Sequence, residues 1–487
     1  MDGRRRTTLA SVWALASTLW LAACGGSDPG GAAAASSGGA GGLGGADAAG
    51  GAAATAGAGA GAVPCELSDA VFAPDTILEY RVTMDPALYE DLKANGNDEV
   101  YRTAALQVRG GDVSVDLDAV GVRYKGDYSL NHCWDDYGGV RSYSGECKKL
   151  SLKLKFNELD PEARLFGLKR LNLNSMSYDD TKLRERLSYA LFNDFGVGTA
   201  RTAYAKLIIN DEPPLLMLAV EAIDGRYTAC QYPEAGDGDL YKELWPRPGM
   251  AEATVLEALR TNDDSDEDPD AGAFIAFGDA VGAATEDTFV DAMAGFIDRE
   301  EVLRYMAVDR AIKNWDGFTA FYWAERSHNF YWYHDEASGR FDLIPWDLDQ
   351  TLWDYDPYMD ATNRHAERQV PNWNVKPLSC DPITVWESGG EVTVIPSGCD
   401  PFFNLLAATG WDEFAALGAE LLEGPFAFEA MDARVTAWAA QIAAAVDEDP
   451  VLNLSAWESQ VEYLHGVLQK DVEDFRAHLA EGYVVEE

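Results

Sequence analysis

The chain has 487 residues, with 82 Asp and Glu against 38 Lys and Arg, for a formal charge of −44. That length allows a large core and two lobes. A nucleic-acid backbone or an anionic lipid surface needs a basic face, so the charge excludes both as electrostatic partners.

Arg4, Arg5 and Arg6 precede a short apolar run, Leu9 to Ala23, which has the proportions of a signal peptide. It ends in Leu21-Ala22-Ala23-Cys24-Gly25, a lipobox in which Cys24 would carry the lipid of a bacterial lipoprotein. Residues 1–23 therefore read as a leader. Residues 24–63, rich in Gly and Ala, read as a flexible tether with too few bulky side chains to offset chain entropy. Gly25 after the cysteine resembles outer-membrane sorting. The expected place is the bacterial cell envelope, exported, with membrane attachment through the lipid alone. Six cysteines remain: Cys65, Cys133, Cys147, Cys230, Cys380 and Cys399. An even number in an exported chain suggests disulfides. Local pairing would join Cys133 to Cys147 and Cys380 to Cys399, leaving Cys65 for Cys230.

Strand alternation is expected over 77–84, 105–110, 113–126 and 149–157, with a short helix over 86–94. In the last strand Leu150, Leu152, Leu154 and Phe156 share one face, and Lys149, Ser151, Lys153 and Lys155 the other. A helix follows at about 180–195, capped by Asp179 or Asp180 and stopped by Gly196. The runs 202–210 and 215–223 form a hairpin around 211-DEPP-214. The acidic run 262-NDDSDEDPD-270 reads as a solvated loop, because it lacks the glycine and final glutamate of a calcium loop. Helical periodicity returns at 286–314 and 411–480. The domains are thus a β-rich 64–247 and a helical 248–487, an α+β chain joined near 246-PRPG-249.

The chemistry concentrates in the second part. The helix 298–317 opens with Asp298 and Glu301 as a capping box and would leave Asp316 at its end. The runs 329-NFYWYHD-335 and 340-RFDLIPWDLD-349 flank a turn at 336-EASG-339. If they pair about that turn, residue numbers across the hairpin sum to about 675, and Asn329 lies opposite Trp346, beside Asp347. Asp347 and Asp349, two residues apart, repel unless a cation lies between them. Oxygen ligands from Asn329, Asp347 and Asp349 suit Mg²⁺ or Mn²⁺ rather than zinc. Protein kinases use this device: an aspartate, then an asparagine opening a short hairpin, then a metal-binding aspartate.

The blocks 309-DRAIKNWDG-317, 328-HNFYWYHD-335, 341-FDLIPWDLDQTLW-353, 183-LRERLSYALFNDFGV-197, 149-KLSLKLKFN-157, 218-LAVEAIDGRY-227 and 239-DLYK-242 resemble, in order, the CotH family of atypical protein kinases. The resemblance implies a two-lobed kinase-like fold with a β-rich first lobe and an α-rich second. It implies an ATP- and metal-dependent protein Ser/Thr kinase with Asp316 as the catalytic aspartate, and Asn329 and Asp347 as metal ligands with Asp349 as the alternate. Lys153 or Lys155 would be the phosphate-contacting lysine. Glu221, at a strand end, and Lys242 would lie along the nucleotide. The sequence has no His-Arg-Asp and no Gly-x-Gly-x-x-Gly, and thirteen residues separate Asp316 from Asn329. The expected partner is an envelope protein substrate. The competing expectation keeps the fold without the chemistry: a surface lipoprotein that binds calcium or a partner through its acidic cleft.

Overall fold

The computed structural model describes residues 64–486 apart from 127–128, 131–132, 135–144, 234–235, 262–270, 321–326, 354–372 and 388–389. The leader, Cys24, the tether and the acidic run 262–270 lie outside the described residues.

Both helices and strands build the chain. The first part contains β1 (Leu78–Met84), α1 (Pro86–Asn95), β2 (Arg102–Gly110), β3 (Val113–Tyr124), β4 (Leu152–Lys155), β5 (Arg170–Asn174), α2 (Arg184–Asp194), β6 (Thr202–Ile209) and β7 (Leu215–Glu221). Its seven strands close into a barrel in the order β1-β2-β3-β4-β5-β7-β6. All neighbours are antiparallel except the closing pair, where β1 runs parallel to β6 from Leu78 opposite Ala205 to Val82 opposite Ile209. Closure removes the sheet edges that an open sheet would expose.

Alternation explains the core. Tyr80, Val82, Leu106, Val108, Leu152, Leu154, Leu171 and Leu173 fill the barrel. Strand β7 is buried on both faces, and its sequence is accordingly apolar without interruption from Leu215 to Val220, before Glu221 ends it. Met217 and Ala219 join the barrel core, whereas Leu216, Leu218 and Val220 join a second core with Leu183, Leu187 and Leu191 on and beside α2.

After β7 come α3 (Gly225–Gln231), β8 (Asp239–Lys242), α4 (Glu252–Ala258), α5 (Gly272–Ala283), α6 (Phe289–Met293), α7 (Arg299–Ala311), β9 (Phe330–Asp335) and β10 (Arg340–Pro345). Strands β8, β9 and β10 form a small antiparallel sheet. The chain ends with β11 (Val375–Lys376), β12 (Ile383–Glu387), β13 (Gly390–Val394), α8 (Pro401–Glu423), α9 (Phe428–Glu448), α10 (Leu454–Glu481) and β14 (Val484–Val485). Helix α8 packs on α7 and α10, and α9 on α10. The short strand β14 pairs with β11. No described helix is long and apolar enough to cross a membrane.

The three disulfides are Cys65–Cys230, Cys133–Cys147 and Cys380–Cys399, with Cα–Cα distances of 5.7, 5.4 and 5.7 Å. The last two are the pairs that local closure favours, and the first is the pair they leave over.

Three expectations are corrected. The strand expected over 149–157 covers only 152–155, because Lys149 is drawn into a buried ion pair with Asp449 at 2.9 Å. Burial pushes the Lys149 ammonium down to about 8 despite that partner. The proposed lysine face is therefore not one wet row. Second, α2 begins at Arg184, later than expected. Asp179 still serves its start from five residues away, accepting the Arg184 N–H at 2.7 Å and the Thr181 N–H at 2.9 Å. Third, the helix expected to reach Gly317 stops at Ala311. Lys313 then takes a left-handed backbone, φ 51°, and its ammonium meets Asp471 and Asp474 of α10 at 2.8 and 2.5 Å.

Candidate active site

The hairpin forms in the anticipated register. Pairs run from Arg340 opposite Asp335 to Pro345 opposite Phe330. One step beyond, the Trp346 N–H donates to the Asn329 carbonyl at 3.0 Å. Asn329 thus faces Trp346 and stands beside Asp347. Both Asn329 and Asp347 adopt left-handed backbones, with φ 62° and 52°. Such conformations cost non-glycine residues on the order of 1–3 kcal/mol and persist where the surroundings over-determine them.

Those surroundings are specific. The Asn329 N–H donates to Glu243 Oε1 at 3.2 Å. The Asn329 side-chain amide donates to both the carbonyl and Oδ2 of Asp316, each at 2.9 Å. Asp316 therefore comes to the hairpin from a turn rather than from a helix end. That turn is organised by Asp309, buried in α7, which accepts from Asn314 Nδ2 and Thr319 Oγ1 at 2.8 Å each. Burial pushes the Asp309 carboxyl up to about 7, against those two hydrogen bonds.

Negative charge accumulates around Asp349. Its carboxyl is held well above the usual range, first by burial and then by Asp347, Glu185 and Asp316, with Lys125 opposing. Glu185, on α2, is pushed up to about 8 by burial and by Asp347, again against Lys125. A relay joins the two sides: Lys125 Nζ donates to Asn174 Oδ1 at 2.9 Å, and Asn174 Nδ2 donates to Glu185 Oε1 at 2.6 Å. Lys125 also lies 5.6 Å from the centre of the Trp346 ring.

On the other flank, Lys242 pairs with Glu243 Oε1 at 3.3 Å, and His328 Nδ1 approaches Glu243 Oε2 at 3.5 Å. Glu243 holds the Lys242 ammonium well above its ordinary value, and Asp347 adds to this. Burial would raise the Glu243 carboxyl, yet Lys242, His328 and the Asn329 N–H hold it far below the usual range. His328 is raised despite burial by Glu243 and by Asp316. The histidine has a structural partner that was not visible in the sequence.

Sequence and structure can now be matched residue by residue. Asp316, Asn329, Asp347, Asp349 and Lys242 come together. Lys155 instead pairs with Glu158 at 2.8 Å and lies over the Tyr101 ring. Lys153 stands in the β3–β4–β5 ladder between Arg123 and Asn172. Glu221, a buried residue, is held by Arg201, whose guanidinium donates to its oxygens at 2.5 and 2.9 Å. The residues missed by the sequence reading are Lys125, Asn174, Glu185 and Glu243. No local signal marks them: Glu185 stands between Arg184 and Arg186 and reads as helix surface, yet all three are buried.

Among the described residues, no three His, Cys, Asp or Glu side chains converge in a set able to hold a metal ion. The candidate donor set joins two carboxylates to the Asn329 amide: Asp347, beside it in the hairpin register, and Asp349, which is electrostatically coupled to Asp347. An all-oxygen set of this kind fits Mg²⁺ or Mn²⁺, which commonly take only one or two protein carboxylates and complete their shell with phosphate and water.

A family model described as CotH kinase protein matches residues 122–385, more than half of the chain and all of the residues just assembled. The inner spore coat protein H of Bacillus subtilis is 24% identical over 223 residues, covering 42% of this chain and 54% of that protein. The chain thus aligns with about half the length of that relative. Among solved structures, the proinflammatory kinase CtkA of Helicobacter pylori aligns over 69% of this chain and 94% of that one, with 11% identity and a TM-score of 0.32. HipA of Shewanella oneidensis, from a toxin–antitoxin complex with HipB and operator DNA, aligns over 72% and 68%, with 14% identity and a TM-score of 0.28. Neither structural score supports an argument. The family match does: the chain belongs to the CotH kinase protein family.

Proposed function

We propose that the protein is an ATP- and divalent-metal-dependent kinase that phosphorylates a protein hydroxyl in the cell envelope, where it is anchored through Cys24. The two-lobed kinase-like arrangement belongs to the same reading, with the barrel as the first lobe. The observation that supports it is the hydrogen bond from Asn329 to Asp316 beside Asp347, with Asp349 electrostatically coupled to Asp347, Asp316, Glu185 and Lys125.

Asn329, Asp347 and Asp349 would hold the Mg²⁺ or Mn²⁺ ion, which when bound neutralises the phosphates as charge shifts toward the leaving oxygen. Lys125 and Lys242 are the cations at hand for phosphate oxygens. They replace Lys153 and Lys155 in this reading because they are the lysines electrostatically coupled to the carboxylates. Asp316 orients the substrate hydroxyl and receives its proton as the new O–P bond forms and the bond from the γ-phosphorus to the ADP oxygen breaks. Asn329 keeps Asp316 in place through two hydrogen bonds. Glu243 in turn fixes Asn329 and ties Lys242 to it.

Calorimetric titration of Mg·ATP into the full chain, with and without metal, tests this. Asp347→Ala is expected to lose metal-dependent nucleotide binding. Asp316→Ala is expected to keep binding and lose phosphoryl transfer. If Asp349→Ala rather than Asp347→Ala removes the metal, Asp349 is the principal ligand. A calcium titration with no nucleotide uptake would favour the non-catalytic alternative.

A further inference from the structure

Helix α2 grips the segment 347–353 from one side. Tyr189 Oη accepts the Asp347 N–H at 3.0 Å. Ser188 Oγ lies 2.7 Å from Thr351 Oγ1, which donates to the Leu348 carbonyl at 2.8 Å. Arg184 Nε donates to the Leu352 carbonyl at 3.1 Å, and its guanidinium lies 4.3 Å from the centre of the Trp353 ring. Positions 184 and 188 share one helix face, and Tyr189 lies on the adjacent one, a turn beyond Glu185. Arg184, Ser188 and Tyr189 are at most 2% exposed.

What they grip is strained. Asp347 and Leu352 are both non-glycine residues in the left-handed region, with φ 52° and 54°. From the opposite side, the Leu352 N–H donates to the Ile312 carbonyl at the end of α7, at 2.7 Å. The same helix presents Glu185 to Asn174. One rigid rod therefore sets both the relay that includes Lys125 and the backbone that carries Asp347.

We propose that Tyr189, supported by Ser188 and Arg184, is a positioning residue that holds the Asp347 backbone in its ligand-presenting conformation before nucleotide arrives. This rests on the metal-site reading above. Without the phenol oxygen, the Asp347 N–H loses its acceptor and the residue can relax toward the commoner negative-φ region, carrying its carboxylate away from Asn329. Restoring the geometry then costs binding free energy, so the defect appears in affinity for the metal–nucleotide pair.

The test uses the full chain, Mn²⁺ and a non-hydrolysable ATP analogue, read by titration calorimetry and by the electron paramagnetic resonance of bound Mn²⁺. Tyr189→Phe should weaken Mn²⁺–nucleotide binding about ten-fold, the equivalent of one unmade hydrogen bond to a buried donor, and should change the bound-Mn²⁺ spectrum. In turnover assays it should raise the metal concentration needed for half-maximal rate while largely keeping kcat at saturating metal. Ser188→Ala should shift the same readouts in the same direction, and it carries the test if Tyr189→Phe does not fold. Binding within about two-fold of wild type in the folded variants, which is less than half a lost hydrogen bond, would overturn the positioning role. With Asp347→Ala abolishing binding in parallel, the site reading would survive that outcome. A wild-type chain that takes up no Mn²⁺–nucleotide, or an Asp347→Ala variant that binds normally, would instead overturn the site and the positioning role together.

Discussion

The barrel interior and the Asp347 turn, which comes after a strand of the separate β8–β9–β10 sheet, follow opposite rules. The barrel is filled by Leu, Val, Tyr and Met side chains from alternating positions, and closure leaves its strands without free edges. The turn gathers Asp316, Asp347, Asp349 and Glu185 near one relay lysine, and places Asn329, Asp347 and Leu352 in left-handed backbones. Burying like charges and strained residues costs stability, and such sites persist where they serve binding or chemistry. The barrel is thus the stability reserve, and the turn draws on it.

Substitutions should therefore separate the two regions. The largest stability loss is expected in the barrel: Leu154→Ala, at a side chain with no exposed surface, should cost roughly 2–5 kcal/mol in denaturant unfolding. A loss below about 1 kcal/mol would contradict a close-packed barrel. Next, replacing Cys133 and Cys147 by Ala opens the loop of 14 residues that their disulfide closes. This should cost about 3 kcal/mol on the chain-entropy estimate, and peptide mapping without reductant should recover the bond in the wild type.

The third effect is pH-dependent. The folded-state pKa of Asp309 is raised to about 7 by burial, above an unfolded value near 3.9. The folded chain then holds a proton that the unfolded chain has released. The associated stability is fully present below about pH 4 and is lost as pH rises through about 7. Between pH 5 and 8 wild type should lose roughly 2–3 kcal/mol more than Asp309→Asn. Equal slopes would contradict the protonated, hydrogen-bonded carboxyl. The smallest effect is expected in the turn itself. Asp349→Asn should raise Tm more at high pH than at low pH, because it removes a carboxylate whose charged form burial and its acidic neighbours disfavour; a Tm difference that does not grow with pH would contradict this.

Cys24→Ser concerns location alone. It should leave the domain folded and release it from the membrane fraction; retention would contradict lipid anchoring.

Legibility in the sequence followed the range of the interactions. Period-two alternation showed the strands, and a turn between two such runs gave the hairpin register to within a residue, so Asn329 near Asp347 could be read from the sequence and the pairing then fixes it. The end of α7 could not, because Lys313 leaves the helix to meet Asp471 and Asp474 about 160 residues away. Lys125 and Glu185 were equally hidden. They meet through Asn174 only once the strands close and α2 lies across them, and nothing local distinguishes Lys125 from Lys153 or Lys155.

The central claim is that the carboxylate turn holds a metal–nucleotide pair while Asp316 handles the hydroxyl proton. Its most direct measurement is ³²P transfer from ATP, with parallel Mn²⁺–nucleotide calorimetry, for wild type, Asp347→Ala and Asp316→Ala. The account predicts that Asp347→Ala loses both binding and transfer, and that Asp316→Ala binds normally but transfers at least about a hundred-fold more slowly, the usual scale of a lost general base. Wild-type transfer rates in both variants would contradict it.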